Sequence, residues 1–475
     1  MTANKRSTSL NFNPPPFGSR ADISGLKVTV MGLGLNGGGL ATARFFAAAG
    51  ASVTVTDKKT EKELAPSIEA LADFPSIRYV LGAHEIEDFR NADTVIKNPG
   101  VKLEGNAYLE AAKSIETDVS VFLRFTRAPI LAVSGSKGKS STVSALHFGL
   151  VELGYPAFLG GNITVSPLTF LDATDGTTPV VLELSSWQLS DLRGRGLLKP
   201  RVAVLTPIMA DHQNWYGGME PYVADKKLIY ADQGPEDFLL CNRDDEWGPI
   251  FARETRAAVR WYGEATLPAG LDGVWIAEDG RGMLRANGAE TELLPAKLSV
   301  PGRHMKQNVL NAALALALYG AEIGKIGPAL ARFTGIEHRL ELFHEEGGVR
   351  WYNDSAATIP EAVVAALSSF AEPVTLLTGG TDKNLDFAPL AREAKRAKRI
   401  CLLAGSGTDK LVPLLRAEGV PFEGPYPDLA SLVGAARCAA ESGDVILFSP
   451  GATSFGLFLN EFDRGRSFKA TVKDQ

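Results

Sequence analysis

The sequence predicts an α/β protein of three domains, each a succession of strand, loop and helix. Three observations carry that expectation. Apolar β-branched runs alternate with helical patterns along the whole chain; two of those runs open directly onto glycine-rich turns, "MGLGLNGGG" and "VSGSKGKSS"; and 475 residues exceed what one core ordinarily organises. Composition is that of a soluble globular chain, 45% hydrophobic and 22% charged with a formal net charge of -6. No Lys/Arg block dominates any stretch, so nothing argues for nucleic acid as a partner.

The elements follow in order. Residues 1–21 read as a flexible lead-in: Lys5 and Arg6 are followed by no apolar core of a signal peptide, and "NPPPFGS" is linker-like. Residues 22–117 form the first domain, and residues 27–57 within it spell strand, glycine turn, helix and second strand. Gly32, Gly34 and Gly37 make G-x-G-x-x-G, with Asp57 at the end of the second strand. A glycine turn at a helix N-terminus lets backbone N–H groups approach a diphosphate. That diphosphate could belong to NAD, as in a dehydrogenase, or to a UDP-sugar; a tight turn needing glycine is the plain alternative.

The second domain, 118–335, opens with "APILAVSGSKGKSS". Lysine neutralises phosphate charge, Ser140 or Ser141 offers a hydroxyl to Mg²⁺, and Gly135 and Gly138 open the backbone for anion binding. The general P-loop, G-x-x-x-x-G-K-[ST], would place its first glycine where Val133 stands. Three further strand ends carry polar groups in order: Glu183 in "LELSSWQ", Asp211 and His212 in "ADHQNWYGG", and Lys226 and Lys227 on the helical pattern "YVADKKLIY". Singly each suits a helix cap, a hydrogen-bonded histidine or a solvated lysine. A carboxylate at an apolar strand end, however, needs a cation, and a Mg²⁺ held by the P-loop hydroxyl would meet it. The third domain, 336–475, supplies "PVTLLTGGTDKN", "RICLLAGSG" and "DVILFSPGATSFG", again apolar runs ending in Gly, Ser and Asp. Cys241, Cys401 and Cys438 are too widely spaced for a disulfide framework or a zinc site, which suits a reducing cytoplasm. The most apolar helix candidate, "VLNAALALALYGA", is shorter than the ~20 residues a membrane span needs.

Taken together and in order, "GSKGKSS", "ELSSWQ", "DHQNWYGG", "GRHMKQNVLNAALAL", "EHRLE", "YNDSAAT" and "SPGATSFGLF" resemble the Mur ligase family of ATP-dependent amide-forming enzymes, over nearly the whole chain after residue 22. The likeness is greatest to the members that add D-glutamate to UDP-N-acetylmuramoyl-L-alanine. The family's P-loop has the short form G-[TS]-x-G-K-[ST], so Gly135 stands where the resemblance expects it. The resemblance implies a Rossmann-like UDP-binding domain, a central P-loop ATPase domain with a mostly parallel sheet, and a C-terminal Rossmann-like domain for the amino acid. It implies a cytoplasmic, monomeric C–N bond-forming ligase of peptidoglycan precursor synthesis, working through an acyl phosphate and a tetrahedral intermediate.

Residue roles carried over by motif follow from that resemblance. Gly135, Ser136, Lys137, Gly138, Lys139, Ser140 and Ser141 would hold the ATP phosphates, and Asn308 and Asn311 the adenine. Arg339 and Asp354 would add C-terminal contacts to ATP. Ser140 and Glu183 would hold one Mg²⁺ and His212 a second, beside Lys226 carbamylated by CO₂. Leu35, Asn36, Asp57, Lys58, Gly100 and Asn162 would meet the UDP substrate, and Thr358, Lys383, Ser454 and Phe462 would grip D-glutamate. Three places depart from the family's pattern: Ala356 where many members carry lysine, Pro207 and Asn214 where relatives often have Asn and Asp, and a longer spacing from His304 to Asn308. The other functions weighed are a sister ligase that adds L-alanine, an NAD-dependent dehydrogenase and a non-catalytic nucleotide-binding regulator. Folylpolyglutamate synthase shares the later domains but lacks one like 22–117.

Overall fold

The computed structural model describes residues 13–475 apart from Asn36, Thr164 and Gly456. Three sheets follow one another along the chain. The first contains β1 (Lys27–Met31), β2 (Ser52–Asp57), β3 (Arg78–Leu81), β4 (Thr94–Lys97) and β5 (Ile115–Glu116), all parallel in the order β3-β2-β1-β4-β5. The second contains β6 (Ile130–Ser134), β7 (Phe158–Gly161), β8 (Val180–Glu183), β9 (Val202–Leu205), β10 (Phe238–Asn242), β11 (Ala258–Gly263), β12 (Gly273–Ile276), β13 (Gly282–Ala286) and β14 (Ala289–Leu294). Its order is β14-β13-β12-β11-β10-β9-β6-β8-β7. The third contains β15 (Glu341–Glu346), β16 (Val349–Asn353), β17 (Val374–Gly379), β18 (Arg399–Leu403), β19 (Glu423–Tyr426) and β20 (Val445–Phe448), ordered β15-β16-β20-β17-β18-β19 with only β15 antiparallel.

By compactness the chain divides into two units. One runs to Val274 and includes Arg285–Ala289 and Leu314–Ala321; the other comprises Trp275–Leu284, Glu290–Ala313 and Glu322–Gln475.

In the first unit, β6 is the central strand of the parallel run, with β8 and β9 on either side. Residues Ile130–Ser134 are buried at every position, as a strand covered on both faces requires. The loops after β6, β8 and β9 therefore emerge side by side, which is how Ser134–Gly138, Glu183 and the 206–212 stretch come together. The flexibility expected through residue 21 does not hold for the described part of the lead-in, residues 13–21, which packs down at Phe17; residues 1–12 lie outside the described residues. Phe17 is buried, with ring centroids 5.9 Å from Phe46 and 5.8 Å from Phe125, and it joins the core of this unit. A linker-like composition concealed one aromatic large enough to hold the segment down.

In the second unit, strand periodicity sorts the core into two layers. Tyr352, Leu376 and Leu447 pack on one face with Val363, Leu390 and Leu411. Trp351, Leu377, Ile446 and Phe448 pack on the other with Leu432 and Phe468.

A buried charge network that no motif announced lies beneath the first unit's loops. Glu116 is fully buried; its Oε1 accepts from Arg124 Nη2 and Arg195 Nη1, both at 2.8 Å, and its Oε2 accepts from Ser120 Oγ. Nearby, Lys97 Nζ donates to Asp191 Oδ2 at 2.8 Å, both side chains almost wholly buried. Burial pushes Asp191 up to about 6, against the pull of Lys97. Removing one member of such a group leaves its partners charged in an apolar setting. Glu116→Ala is expected to lower the unfolding free energy by about 3–5 kcal/mol, read from urea denaturation midpoints; a loss below 1 kcal/mol would show the arginines finding other partners.

Candidate active site

The phosphate loop is shaped by a close approach. Gly135 has φ 140°, and a Cβ placed on it would stand 1.9 Å from Thr206 Oγ1, so only glycine fits between the end of β6 and the end of β9. Gly138, at φ 90°, turns the chain into the helix Lys139–Glu152, whose first N–H groups have no partner within the helix. Ser134 Oγ donates to Leu184 O at 2.7 Å, fastening this loop to the strand that carries Glu183. Lys139 Nζ bends back to donate to Gly135 O at 3.0 Å and Ser136 O at 3.1 Å. Ser136 is buried and its hydroxyl bonds Met209 and Tyr222, each at 2.9 Å, so that side chain works inside the fold. Lys137 is exposed, while Ser140 and Ser141 lie half-buried on the helix's first turn.

Around that loop the polar residues converge. Lys226, on the helix Met219–Lys226, is 1% exposed; its Nζ donates to Gly135 O at 2.7 Å and lies 4.6 Å from the Tyr222 ring centroid. Burial, and then the charge of Lys139, push its pKa down to about 7. Its neighbour Lys227 turns away and pairs with Glu254 at 2.7 Å. Glu183 is equally buried: Oε1 accepts from Asn162 Nδ2 at 2.8 Å, and Oε2 has no partner. A buried carboxylate oxygen without a donor is what a cation site requires. His212 is a non-glycine residue in the left-handed region, φ 51°, and its ring lies tilted 4.9 Å from Trp187, whose own ring lies 4.9 Å from Trp215. Lys139, Asn162, Ser185, His212, Tyr222 and Lys226 face one pocket of about 190 Å³.

A larger pocket, about 580 Å³, opens at the carboxyl ends of the first sheet and includes Gly32, Asp57, Lys58, His84, Gly100 and Asn106. Asp57 braces the glycine turn: Oδ2 accepts from Gly34 N at 3.0 Å and Oδ1 from Lys59 N at 2.9 Å. Leu35 is exposed at the turn, and Asn36 lies outside the described residues. Asn162, expected with the UDP substrate, faces the smaller pocket and donates to Glu183, because β7 pairs with β8. His84 and Tyr108 were not singled out from sequence; their rings meet at 5.3 Å on the pocket wall.

In the second unit, Asn308 and Asn311 are buried on the helix Arg303–Tyr319. Asn311 Oδ1 accepts from Gln307 Nε2 at 3.0 Å, leaving Gln307 Oε1 and Asn311 Nδ2 without partners. Gln307 thus joins the pair that the motif named. Asp354 accepts from Leu340 N at 3.2 Å and from Ser449 Oγ at 2.7 Å, with Arg339 exposed beside it. Thr358 is half-buried, Ser454 buried, Lys383 exposed, and Phe462 half-exposed with its ring 5.6 Å from His338.

Family models for the MurD-like N-terminal domain, the Mur ligase middle domain and the Mur ligase glutamate ligase domain match residues 26–120, 133–318 and 338–451. A UDP-N-acetylmuramoylalanine–D-glutamate ligase of Treponema pallidum is 48% identical over 96% of this chain and 99% of its own. The chain belongs to the Mur ligase family. Among solved structures, the Mur ligase fold is shared with the UDP-N-acetylmuramate–alanine ligase MurC of Thermotoga maritima at TM-score 0.58 and 18% identity, covering 94% of this chain and 99% of that one. It is shared also with the MurF ligase of Thermotoga maritima in complex with ADP, at TM-score 0.53 and 16% identity, covering 96% and 97%.

Within this Mur ligase, the G-x-G-x-x-G turn lies in the MurD-like N-terminal domain, which removes the need for NAD to explain it. Ala356, where many members carry lysine, donates its N–H to His338 O at 2.9 Å and contributes no charge.

The loop at Asp354 yields a pH test. Burial pushes this acid up to about 7, with the hydroxyl of Ser449 and the Leu340 N–H opposing. Between roughly pH 4, where an unfolded aspartate titrates, and about 7, the folded chain binds the extra proton, so this group makes stability fall as pH rises. Asp354→Asn keeps the shape and does not titrate. Its stability relative to wild type is expected to grow from pH 4 to pH 8 in urea unfolding; a difference flat with pH would show Asp354 to be ionised throughout.

Proposed function

We propose that this chain joins D-glutamate to UDP-N-acetylmuramoyl-L-alanine at the expense of ATP, releasing ADP and phosphate, in the cytoplasmic synthesis of peptidoglycan precursors. The observation that carries the proposal is likeness to a D-glutamate ligase along essentially the full length of both chains. The first unit supports it chemically. Phosphoryl transfer needs positioning and charge neutralisation more than an acid–base relay, and a glycine loop with Lys139 beside an unpaired carboxylate oxygen supplies both.

In the proposed reaction the carboxylate of the L-alanyl group attacks the γ-phosphate, forming an acyl phosphate and ADP. The amine of D-glutamate then adds to the acyl carbon, and the tetrahedral intermediate expels phosphate. The loop residues Gly135–Ser141 with Lys139 cradle the phosphates. Glu183 Oε2, the Ser140 hydroxyl and His212 are the groups that would hold Mg²⁺, in two sites. When bound, Mg²⁺ neutralises phosphate charge and takes its remaining ligands from phosphate oxygens and water.

Lys226 fits a carbamate. With its pKa near 7, a large share of the amine is neutral at physiological pH and adds to CO₂, losing a proton to leave an N-carboxylate. The change replaces a second buried cation beside Lys139 with an anion directed at the metal-holding groups. Leu35, Asn36, Asp57, Lys58, Gly100 and Asn162 are assigned to the UDP substrate. In the second unit Asn308, Asn311, Arg339 and Asp354 are assigned to the nucleotide, and Thr358, Lys383, Ser454 and Phe462 to D-glutamate. A monomer suffices for this chemistry, and among the described residues no helix is long and apolar enough to cross a membrane.

An amino-acid panel with UDP-N-acetylmuramoyl-L-alanine, ATP and Mg²⁺ decides substrate choice. D-glutamate is expected to give ADP release well above every other acceptor; release with L-alanine on UDP-N-acetylmuramate instead would indicate the sister activity. Lys226→Ala is expected to lose roughly 10²- to 10³-fold in kcat. Formate or acetate should restore part of it by standing in for the carbamate, and a variant with wild-type turnover would exclude Lys226 from the chemistry.

A further inference from the structure

β16, β20 and β17 lie side by side and parallel, so the loops leaving their carboxyl ends meet at one edge of the third sheet. Backbone bonds stitch these loops together. Gly451 N donates to Ala357 O and Gly379 N to Pro450 O, each at 2.9 Å, and Thr453 N donates to Thr381 O at 3.0 Å. Thr358, Lys383 and Ser454 all sit on this stitched edge.

Beneath it is a cation that no motif marked. Arg464, in the first turn of the helix Glu461–Asp474, is 1% exposed. Its Nε donates to Ser355 Oγ at 3.0 Å, its Nη2 to Ser355 O at 2.8 Å and its Nη1 to Ala452 O at 2.9 Å. Nη1 also stands 3.9 Å from where a Cβ on Gly380 would be, so one guanidinium reaches all three loops. Every acceptor is neutral. Lys97 and Arg195, nearly as deeply buried, each face a carboxylate, whereas among the described residues none lies within 4 Å of Arg464. Glu461, three residues earlier, acts on it only from a distance.

An uncompensated buried cation is costly, and a tie between loops could be made by a neutral side chain. We propose that Arg464 is a positioning residue of the amino-acid site: it sets the three loops in register, and its unbalanced charge favours an acidic amino acid arriving above them. The proposal rests on the D-glutamate reading of the second unit. It also accounts for Ala356, since a cation entering from the helix side serves where many relatives place a lysine on the loop itself.

The test compares Arg464→Met and Arg464→Lys with wild type, measuring kcat and the KM values for amino acid, UDP-N-acetylmuramoyl-L-alanine and ATP, with thermal unfolding alongside. For Arg464→Met the D-glutamate KM is expected to rise roughly tenfold or more, with the other two KM values within about twofold. Arg464→Lys keeps the charge without the fork and is expected to recover most of the D-glutamate KM. An unchanged D-glutamate KM, a parallel rise in all three constants, or failure of both variants to fold would make Arg464 a purely structural tie and overturn the proposal. If the wild-type enzyme prefers another amino acid, the D-glutamate reading fails by itself, and the same KM comparison, made with that amino acid, still judges the loop-setting role.

Discussion

The site in the first unit depends on one carbonyl. Gly135 O accepts from Lys226 Nζ at 2.7 Å and from Lys139 Nζ at 3.0 Å, so a single backbone dipole holds two ammonium groups beside each other. It can do so because residue 135 has no side chain: the loop lies against Thr206 so closely that any Cβ would collide. The requirement begins as a steric one on a single residue and ends as an electrostatic one on two lysines. Lys226 cannot leave, being buried, and it cannot be fully charged at neutral pH, because burial and Lys139 both oppose its proton. An amine in that condition is a nucleophile held in place. Glu183, with one oxygen tied to Asn162 and the other free, is the complementary element, a carboxylate that lacks a cation. The pocket thus presents Lys139 and Lys226, while Asn162 on its wall is tied to a carboxylate whose other oxygen is unmatched, a charge pattern that phosphate and Mg²⁺ together would balance.

How much of this was legible in the sequence follows from what kind of force fixes each part. Strand-loop-helix alternation is written in local hydrophobic periodicity, so the three sheets could be expected from apolar runs alone. The glycine loops were legible because a left-handed turn or a close backbone approach excludes other residues. The approach of Glu183 and the 206–212 stretch to the phosphate loop was legible because parallel sheets deliver successive strand ends to one edge, and Lys226 joins them from the helix Met219–Lys226. What stayed hidden depends on long-range pairing. Glu116, Arg124 and Arg195 look like ordinary surface charges until the fold buries them against one another. That Asn162 would meet Glu183 was not legible, because a sequence does not state that β7 lies next to β8. Phe17 sat in a proline-rich stretch whose composition says linker, and one buried ring outweighed it. In the second unit, Gln307 and Arg464 carry no motif signal, since a residue that meets its neighbours only after folding has no characteristic spacing.

The two glycine loops of the first unit show how closely related turns come to serve different anions. Gly37 and Gly138 occupy the same left-handed conformation, φ 86° and 90°, and each starts a helix whose first N–H groups lack partners. What differs is the group that answers the turn. At the first, Asp57 fills a donor of the loop, taking the Gly34 N–H with one oxygen and Lys59 N with the other, and the nearby cation is Lys58, outside the loop and past the next strand. A negative charge at that turn disfavours a highly charged triphosphate and leaves the wide, half-polar pocket to a less charged ligand. At the second, the cation is Lys139, the first residue of the helix, and a buried acid nearby, Glu183, is left with an oxygen unmatched. That turn therefore suits a triphosphate carrying its own metal. Two loops of like geometry are thus sorted by the placement of one acid and one lysine, a difference that glycine spacing alone does not reveal.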